Sequence, residues 1–197
     1  MRKLFMAALL MAFASPLAFA QTTGDDYNKY DIYAGFSHNR VQIGAGNEDP
    51  EFDDIFDERE GFNGFELAVK GNVSRYVGIK GDYSFHRRNT DFGDFDLEAD
   101  IHNFLGGVEF KDNARETRVK PFAHILAGVA HGRVNIDDFD DPISESDTGF
   151  SAAIGGGLDF RVSDRVDFRA IQFDYNPNRA NGTTAHNFRI GVGVVFR

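Results

Sequence analysis

Asn187-Phe188-Arg189-Ile190-Gly191-Val192-Gly193-Val194-Val195-Phe196 alternates two kinds of side chain. Phe188, Ile190, Val192, Val194 and Phe196 fall on one face; Asn187, Arg189, Gly191 and Gly193 fall on the other, and Val195 breaks the contrast. A period of two is the mark of a β-strand, whose successive side chains point to opposite faces. The non-apolar face is unusual in holding mainly glycine and a charge.

The same pattern recurs along the chain. Phe150, Ala152, Ile154, Gly156, Leu158 and Phe160 alternate with Ser151, Ala153, Gly155, Gly157, Asp159 and Arg161. Ile32, Ala34 and Phe36 alternate with Asp31, Tyr33, Gly35 and Ser37, and Phe65, Leu67 and Val69 with Gly64, Glu66, Ala68 and Lys70. Val77, Ile79, Tyr83 and Phe85 stand opposite Gly78, Lys80, Asp82, Ser84 and His86. Three further strands, near 97–110, 119–131 and 165–175, slip in parity, and a β-bulge near Ile171 and Gln172 accounts for one such slip. The connections alternate in length. Short ones lie near 72–75, 111–118 and 163–164, and long ones rich in Asp, Glu, Asn and Gly cover 40–61, 87–96, 132–149 and 176–186. Short turns on one rim and long loops on the other characterise a transmembrane barrel. The expected fold is therefore all-β: an eight-stranded antiparallel up-and-down transmembrane β-barrel, with a soluble periplasmic lipocalin-like barrel as its competitor. A narrow face of Gly, Ala, Ser and charges suits the inside of a small barrel better than a sandwich core.

Composition agrees. The 197 residues are 42% hydrophobic and 14% aromatic, with 21 Gly, 21 Phe and 5 Pro. Cysteine is absent, which excludes disulfides, thiolate metal sites and a cysteine nucleophile. Met1-Arg2-Lys3, the apolar run from Leu4 to Ala14 and Ala18-Phe19-Ala20 read as a signal peptide over 1–20, cleaved after Ala20, leaving a barrel domain over 21–197. Losing Arg2 and Lys3 takes the formal net charge from -10 to -12, which argues against nucleic-acid partners. The expected address is the outer membrane.

Those residues resemble a family. The leader, the eight-strand rhythm and the ending Arg189-Ile190-Gly191-Val192-Gly193-Val194-Val195-Phe196 are similar to the small outer-membrane β-barrels related to the OmpA transmembrane domain and the opacity-type proteins. The resemblance implies that Arg189, Gly191, Val194 and Phe196 form the signal read by the barrel assembly machinery; Arg197 departs from a family that usually ends on the aromatic. It also implies a lumen plugged by side chains, with outer-membrane lipid and lipopolysaccharide as surroundings.

On this register Glu66, Asp82, Glu109 and Asp159 share the inward face with Lys70, Lys80, Arg161, Arg169 and Arg189. The interior of an eight-stranded barrel is only just filled by side chains, so such charges should pair. A narrow channel for ions or small solutes is the competing reading. A lipid-modifying enzyme would need a lipid-facing Ser, a His and a carboxylate; Ser84 and His86, beside Asp82, point to the lumen instead. The six histidines show no metal-ligand spacing, and neither Gly44-Ala45-Gly46 nor Gly155-Gly156-Gly157 opens a nucleotide-binding βαβ unit. No catalytic, cofactor or metal residues are expected. The loops are acidic: eight acids against two bases between Arg40 and Gly61, and six against Arg133 over 132–149. Phe52, Phe56 and Phe139 within them are candidate contacts for an extracellular partner.

Overall fold

The structure, a computed structural model, describes residues 27–42, 59–91, 96–137, 143–180 and 182–197. Eight strands follow in order: β1 Tyr30–Gln42, β2 Arg59–Asn72, β3 Val77–Asp91, β4 Asp96–Lys111, β5 Val119–Asp137, β6 Ile143–Arg161, β7 Val166–Ala180 and β8 Thr183–Phe196. Each pairs antiparallel with its neighbour. β1 also pairs with β8, from Ile32↔Phe196 to Arg40↔Phe188, and the sheet closes into a barrel.

The pleat sorts the two faces inside out. Ile32, Phe36, Leu67, Ile79, Ile125, Ile154 and Ile190 stand exposed on the outer wall, while Glu66, Lys80, Ser84, Asp174 and Arg189 are buried. Hydrocarbon stabilises the first set, and the closed ladder leaves no backbone edge to face it. Aromatic side chains mark the outer end of the apolar band. Phe36, Phe65 and Phe85 lie on directly paired positions across β1, β2 and β3, and the Phe65 and Phe85 ring centroids are 5.7 Å apart. Tyr83 and Phe104 approach to 4.9 Å.

Two local features shape the interior. Gly35 and Gly193 face each other across β1 and β8, and the Tyr33 ring lies over them; a Cβ at Gly35 would come within 2.2 Å of the Tyr33 hydroxyl. Within β7, Arg169 opposes Gly193 and Gln172 opposes Gly191, so two residues, Ala170 and Ile171, face Val192 alone. This bulge, at the position expected from the parity slip, turns both Arg169 and Gln172 inward although they are three apart.

The short rim is made of hydrogen-bonded turns. Val73 N–H donates to Val77 O and Val162 N–H to Val166 O, each at 3.0 Å. Between β4 and β5, the Asp112 carboxylate accepts from Arg75 Nε at 2.8 Å, Ala114 N at 3.1 Å and Thr117 Oγ1 at 3.0 Å. The Arg75 guanidinium, first among these, holds the Asp112 carboxyl down at about 2.

The long rim differs from the sequence expectation. Much of 87–96, 132–149 and 176–186, read as loop, is strand: β5 runs to Asp137, β6 begins at Ile143, and only two residues separate β7 from β8. Above the apolar band the apolar parity reverses: in β4 and β5, Leu97, Ala99, Ile101 and Val134 share the parity of lumen-facing Asn103 and Ala130, with Glu98, Asp100, Arg133 and Asn135 on the other, so the outward apolar pattern stops while the ladder continues. The extension is uneven. The last β2–β3 pair is Asn63↔Arg87 and the last β6–β7 pair Phe150↔Arg179, whereas β3–β4 continues to Asp91↔Asp96 and β5–β6 to Ile136↔Ile143. Strands β3 to β6 thus rise as a four-stranded wall above the rest of the barrel.

Two predictions follow from this arrangement. Ile125→Arg, in the middle of the apolar band, lowers stability in vesicles by about 2–4 kcal/mol, whereas Ser146→Arg on the wall changes it by less than about 0.5 kcal/mol, both read from urea titrations. Asp112→Asn costs about 0.5–1 kcal/mol at pH 7, because the clamp is partly exposed and screened. The folded Asp112 pKa lies below its unfolded value of about 3.9, so this contribution is complete above pH ~4 and disappears as pH falls toward 2. Wild type and variant therefore converge in stability at low pH.

Candidate functional site

The candidate site is the lumen, which is built in layers. Nearest the short rim, Lys70 Nζ lies 2.7 Å from both Asp31 Oδ2 and Glu109 Oε1. Lys111 Nζ reaches Asp31 at 2.9 Å and Asp159 at 3.2 Å. Arg169 Nε donates to Asp159 Oδ1 at 2.8 Å, and its guanidinium lies between two rings, 4.3 Å from the Tyr33 centroid and 3.9 Å from that of Phe122. Lys120 pairs with Asp167 at 2.9 Å, with Arg197 Nε 3.4 Å from the same carboxylate.

The middle layer centres on Arg189. Its guanidinium is 2.7 Å from Asp174, 3.1 Å from Asp82 and 3.6 Å from Glu66. Asp174 sits directly opposite it on β7, so the strand register itself makes the first of these pairs. Lys80 Nζ contacts Asp82 at 3.1 Å and Glu66 at 3.5 Å. Lys70 and Lys80 are opposed across β2 and β3, and the like charges are kept apart because each turns to its own carboxylates. Gln172 joins the layers: its Nε2 donates to Glu66 at 3.0 Å and Asp174 at 2.8 Å, while its Oε1 accepts from Arg169 at 2.6 Å. His124 accepts from Lys80 at Nδ1 (3.5 Å) and donates from Nε2 to Asp174 (2.8 Å), the pattern of a neutral imidazole.

Seven carboxylates, Asp31, Glu66, Asp82, Glu109, Asp159, Asp167 and Asp174, thus meet seven cations, Lys70, Lys80, Lys111, Lys120, Arg169, Arg189 and Arg197. A void of about 10 Å³ between Asp31, Lys70, Lys111 and Arg169 has room for about one water. Above the charges lies an uncharged polar layer: Ser37 and His86 Nε2 are hydrogen-bonded at 2.9 Å, Asn103 donates to Ser84 at 3.3 Å, and Asn176 donates to Ser151 at 3.1 Å. The wall then encloses a vestibule of about 1110 Å³ lined by Glu60, Phe62, Arg88, Ile101, Arg133 and Glu145.

Eight of the nine charges singled out in the sequence are buried in the lumen. Arg161 is the exception and corrects the register argument. It stands at the end of β6, below the last layer, where its guanidinium bonds to Asp164 and the Arg115 carbonyl. The sequence reading leaves Asp31, Lys111, Lys120, Asp167, Asp174, Gln172 and His124 out of this network and treats Arg197 only as a departure at the terminus. Asp31 sits on the inward face of β1; Lys111 falls in the short connection expected over 111–118; and the bulge hides Gln172 and Asp174. Arg197, which looked like an overhang, is tied down by Arg197 N–H donating to Arg165 O at 3.0 Å and by its guanidinium donating to Ser163 O at 3.1 Å. Of the four residues matching the assembly pattern, Arg189 and Gly191 face the lumen and Val194 and Phe196 face outward. Val195, which spoiled the alternation, fills the lumen beside Tyr33 and Ala68. Phe52, Phe56 and Phe139 lie outside the described residues.

Ser84 and His86 are not brought together as a pair. Ser84 and His86 take separate partners, Asn103 and Ser37, and all four are fully buried. Among the described residues no group of three or more His, Asp or Glu side chains is placed to hold a metal ion.

The family model for the outer membrane protein beta-barrel domain matches residues 5–196. The chain belongs to this family. Solved structures similar to this outer-membrane barrel include Ail, the attachment invasion locus protein of Yersinia pestis, with 19% identity, 86% of this chain and 99% of that chain covered, and TM-score 0.59. Ail in complex with the heparin analogue sucrose octasulfate matches at 20% identity, 85% and 98% coverage and TM-score 0.59. Neisserial surface protein A follows with 12% identity, 85% and 96% coverage and TM-score 0.57. No curated protein matches the chain by sequence. Family and fold place this barrel in the outer membrane.

The layered pairing predicts unequal consequences of losing a cation. Arg189→Met leaves three buried carboxylates short of a partner and destabilises the barrel by about 3–5 kcal/mol, whereas Arg161→Met at the mouth costs less than about 1 kcal/mol, measured by denaturant unfolding in the same lipid.

Proposed function

We propose that this outer-membrane barrel is a non-catalytic, surface-exposed structural protein whose lumen is plugged by charge pairs and whose acidic rim contacts a partner outside the cell. The observation that carries the reading is the balanced network of seven carboxylates and seven cations across the lumen. Breaking one buried pair without replacement costs about 3–5 kcal/mol. At about 1.4 kcal/mol per decade, a path that needed one such break would be open roughly one part in 10² to 10⁴ of the time. A narrow channel is the competing use of the same residues, and it requires that network to rearrange.

The rim's charge favours one kind of partner. The Ail structure holds a heparin analogue, a polyanion; the long connections of this chain carry eight acids against two bases over 40–61, which repels such a ligand. A cationic protein surface, or lipopolysaccharide phosphates bridged by divalent cations, suits that rim. Phe52, Phe56 and Phe139 supply apolar contact points within that acidic sequence, the first two in the connection between β1 and β2 and the third in that between β5 and β6. Export after cleavage at Ala20, and delivery by the assembly machinery through Arg189, Gly191, Val194 and Phe196, complete the proposal.

Single-channel recording on the folded, inserted barrel tests it. Silence is expected, with insertion verified by the mobility change of the folded form on heating. Steady openings that change in size in Glu66→Ala or Lys80→Met would replace the plugged lumen with a channel.

A further inference from the structure

The lumen uses two of the six histidines; the other four, His38, His102, His131 and His186, face outward. Two of them meet. His102 on β4 and His131 on β5 are directly opposed across the ladder, with ring centroids 6.4 Å apart. They sit one step beyond Phe104 and Val129, where the apolar band ends. Each ring is oriented through Nδ1: that of His102 is 3.0 Å from the Tyr83 hydroxyl, and that of His131 is 2.8 Å from Thr148 Oγ1. His102 also packs on Phe85, with centroids 4.8 Å apart. Neither Nε2 has a hydrogen-bond or ion-pair partner among the described residues.

We infer that His102 and His131 form a two-histidine chelate for a divalent transition-metal ion at the outer boundary of the membrane. Both Nδ1 partners are hydroxyls, which accept as well as donate. With each Nδ1–H donating to its hydroxyl, each Nε2 keeps a lone pair for a metal, and the second partner fixes the ring, as in known histidine sites. A metal–nitrogen bond of about 2.0–2.1 Å puts the ion ~3.2 Å from each ring centre, so two rings sharing one ion span at most ~6.4 Å. The observed separation equals that limit, which the two rings satisfy with their Nε2 atoms on the line between the centroids. Neighbouring charges leave the site to the imidazoles: Asp100 is occupied by Arg87 at 2.7 and 2.9 Å, and Arg133 lies opposite Asp100. The remaining coordination positions open toward water and lipid phosphate oxygens. Two imidazoles favour Cu²⁺ over Ni²⁺ and Zn²⁺, and carboxylate-seeking Ca²⁺ and Mg²⁺ are not competitors.

The test is a Cu²⁺ titration of the folded barrel in zwitterionic micelles, with excess Mg²⁺ to occupy the acidic loops. One Cu²⁺ site is expected that weakens at least tenfold in His102→Asn and equally in His131→Asn, changes less than twofold in His38→Asn, and loses little more in the double variant. Single variants that each lose less than threefold, or losses that multiply in the double variant, would overturn the chelate. Pulsed electron paramagnetic resonance on the wild-type Cu²⁺ complex needs no variant: two coordinated imidazoles are expected, and one or none refutes the proposal.

Discussion

The pairing of β1 with β8 is the constraint from which the rest of the molecule follows. In hydrocarbon an unpaired backbone N–H or C=O costs several kcal/mol, so the sheet closes from Ile32↔Phe196 to Arg40↔Phe188 and has no edge within the bilayer. Closure with only eight strands leaves an interior too narrow for a water column. The pleat nevertheless sends every second side chain into it. Each inward position must therefore be either small, as at Gly35 and Gly193 beneath Tyr33, or shaped to a neighbour, as where the Asp174 carboxylate fills the space that a Cβ on Gly155 would need.

That requirement explains the charges. Burying an ion is costly, and a single buried pair returns little net stability compared with a well-packed apolar core. Here the cost is shared: Arg189 serves three carboxylates, Lys70 and Lys111 share Asp31, and Gln172 links the two charged layers without adding charge. What the network contributes beyond energy is register. Slipping β8 by one residue would turn Arg189 into lipid and bring Ile190 inward, and a slip by two would carry Arg189 away from Asp174. A sheet whose outer face is uniformly apolar has little else to distinguish one register from the next.

How much of this was readable depends on whether a residue's parity survived. The strands around Phe36, Phe65, Ile154 and Ile190 were legible because apolar and polar faces differ sharply there, and the same parity located Glu66, Lys70, Lys80, Asp82, Glu109, Asp159, Arg169 and Arg189 on the inward face. Asp174 and Gln172 were lost because the bulge at Ala170–Ile171 reverses parity within β7. Arg161 was misplaced by the opposite error, since parity gives the face of a residue but not its depth. The wall reads as loop because its apolar parity, as at Leu97, Ala99, Ile101 and Val134, is the reverse of that in the membrane band. Partners distant in sequence, such as Gln172 and Glu66, leave no local trace at all.

The layering also bears on where activity can reside. Below the vestibule, whose lining includes Glu60, Arg88, Asp100, Arg133, Glu145 and Asp147, an ion meets Ser37, Asn39, His86, Asn103, Ser151, Asn176 and Asn187, an uncharged and fully buried layer, and then the paired charges. The charges of the lumen proper lie below that layer and cancel in pairs. Paired side chains fill the lumen at that level. Variable chemistry is left to the surface beyond the aromatic border, where the wall holds side chains in ladder geometry, so that a contact made there loses less conformational entropy on binding than one made by a free loop.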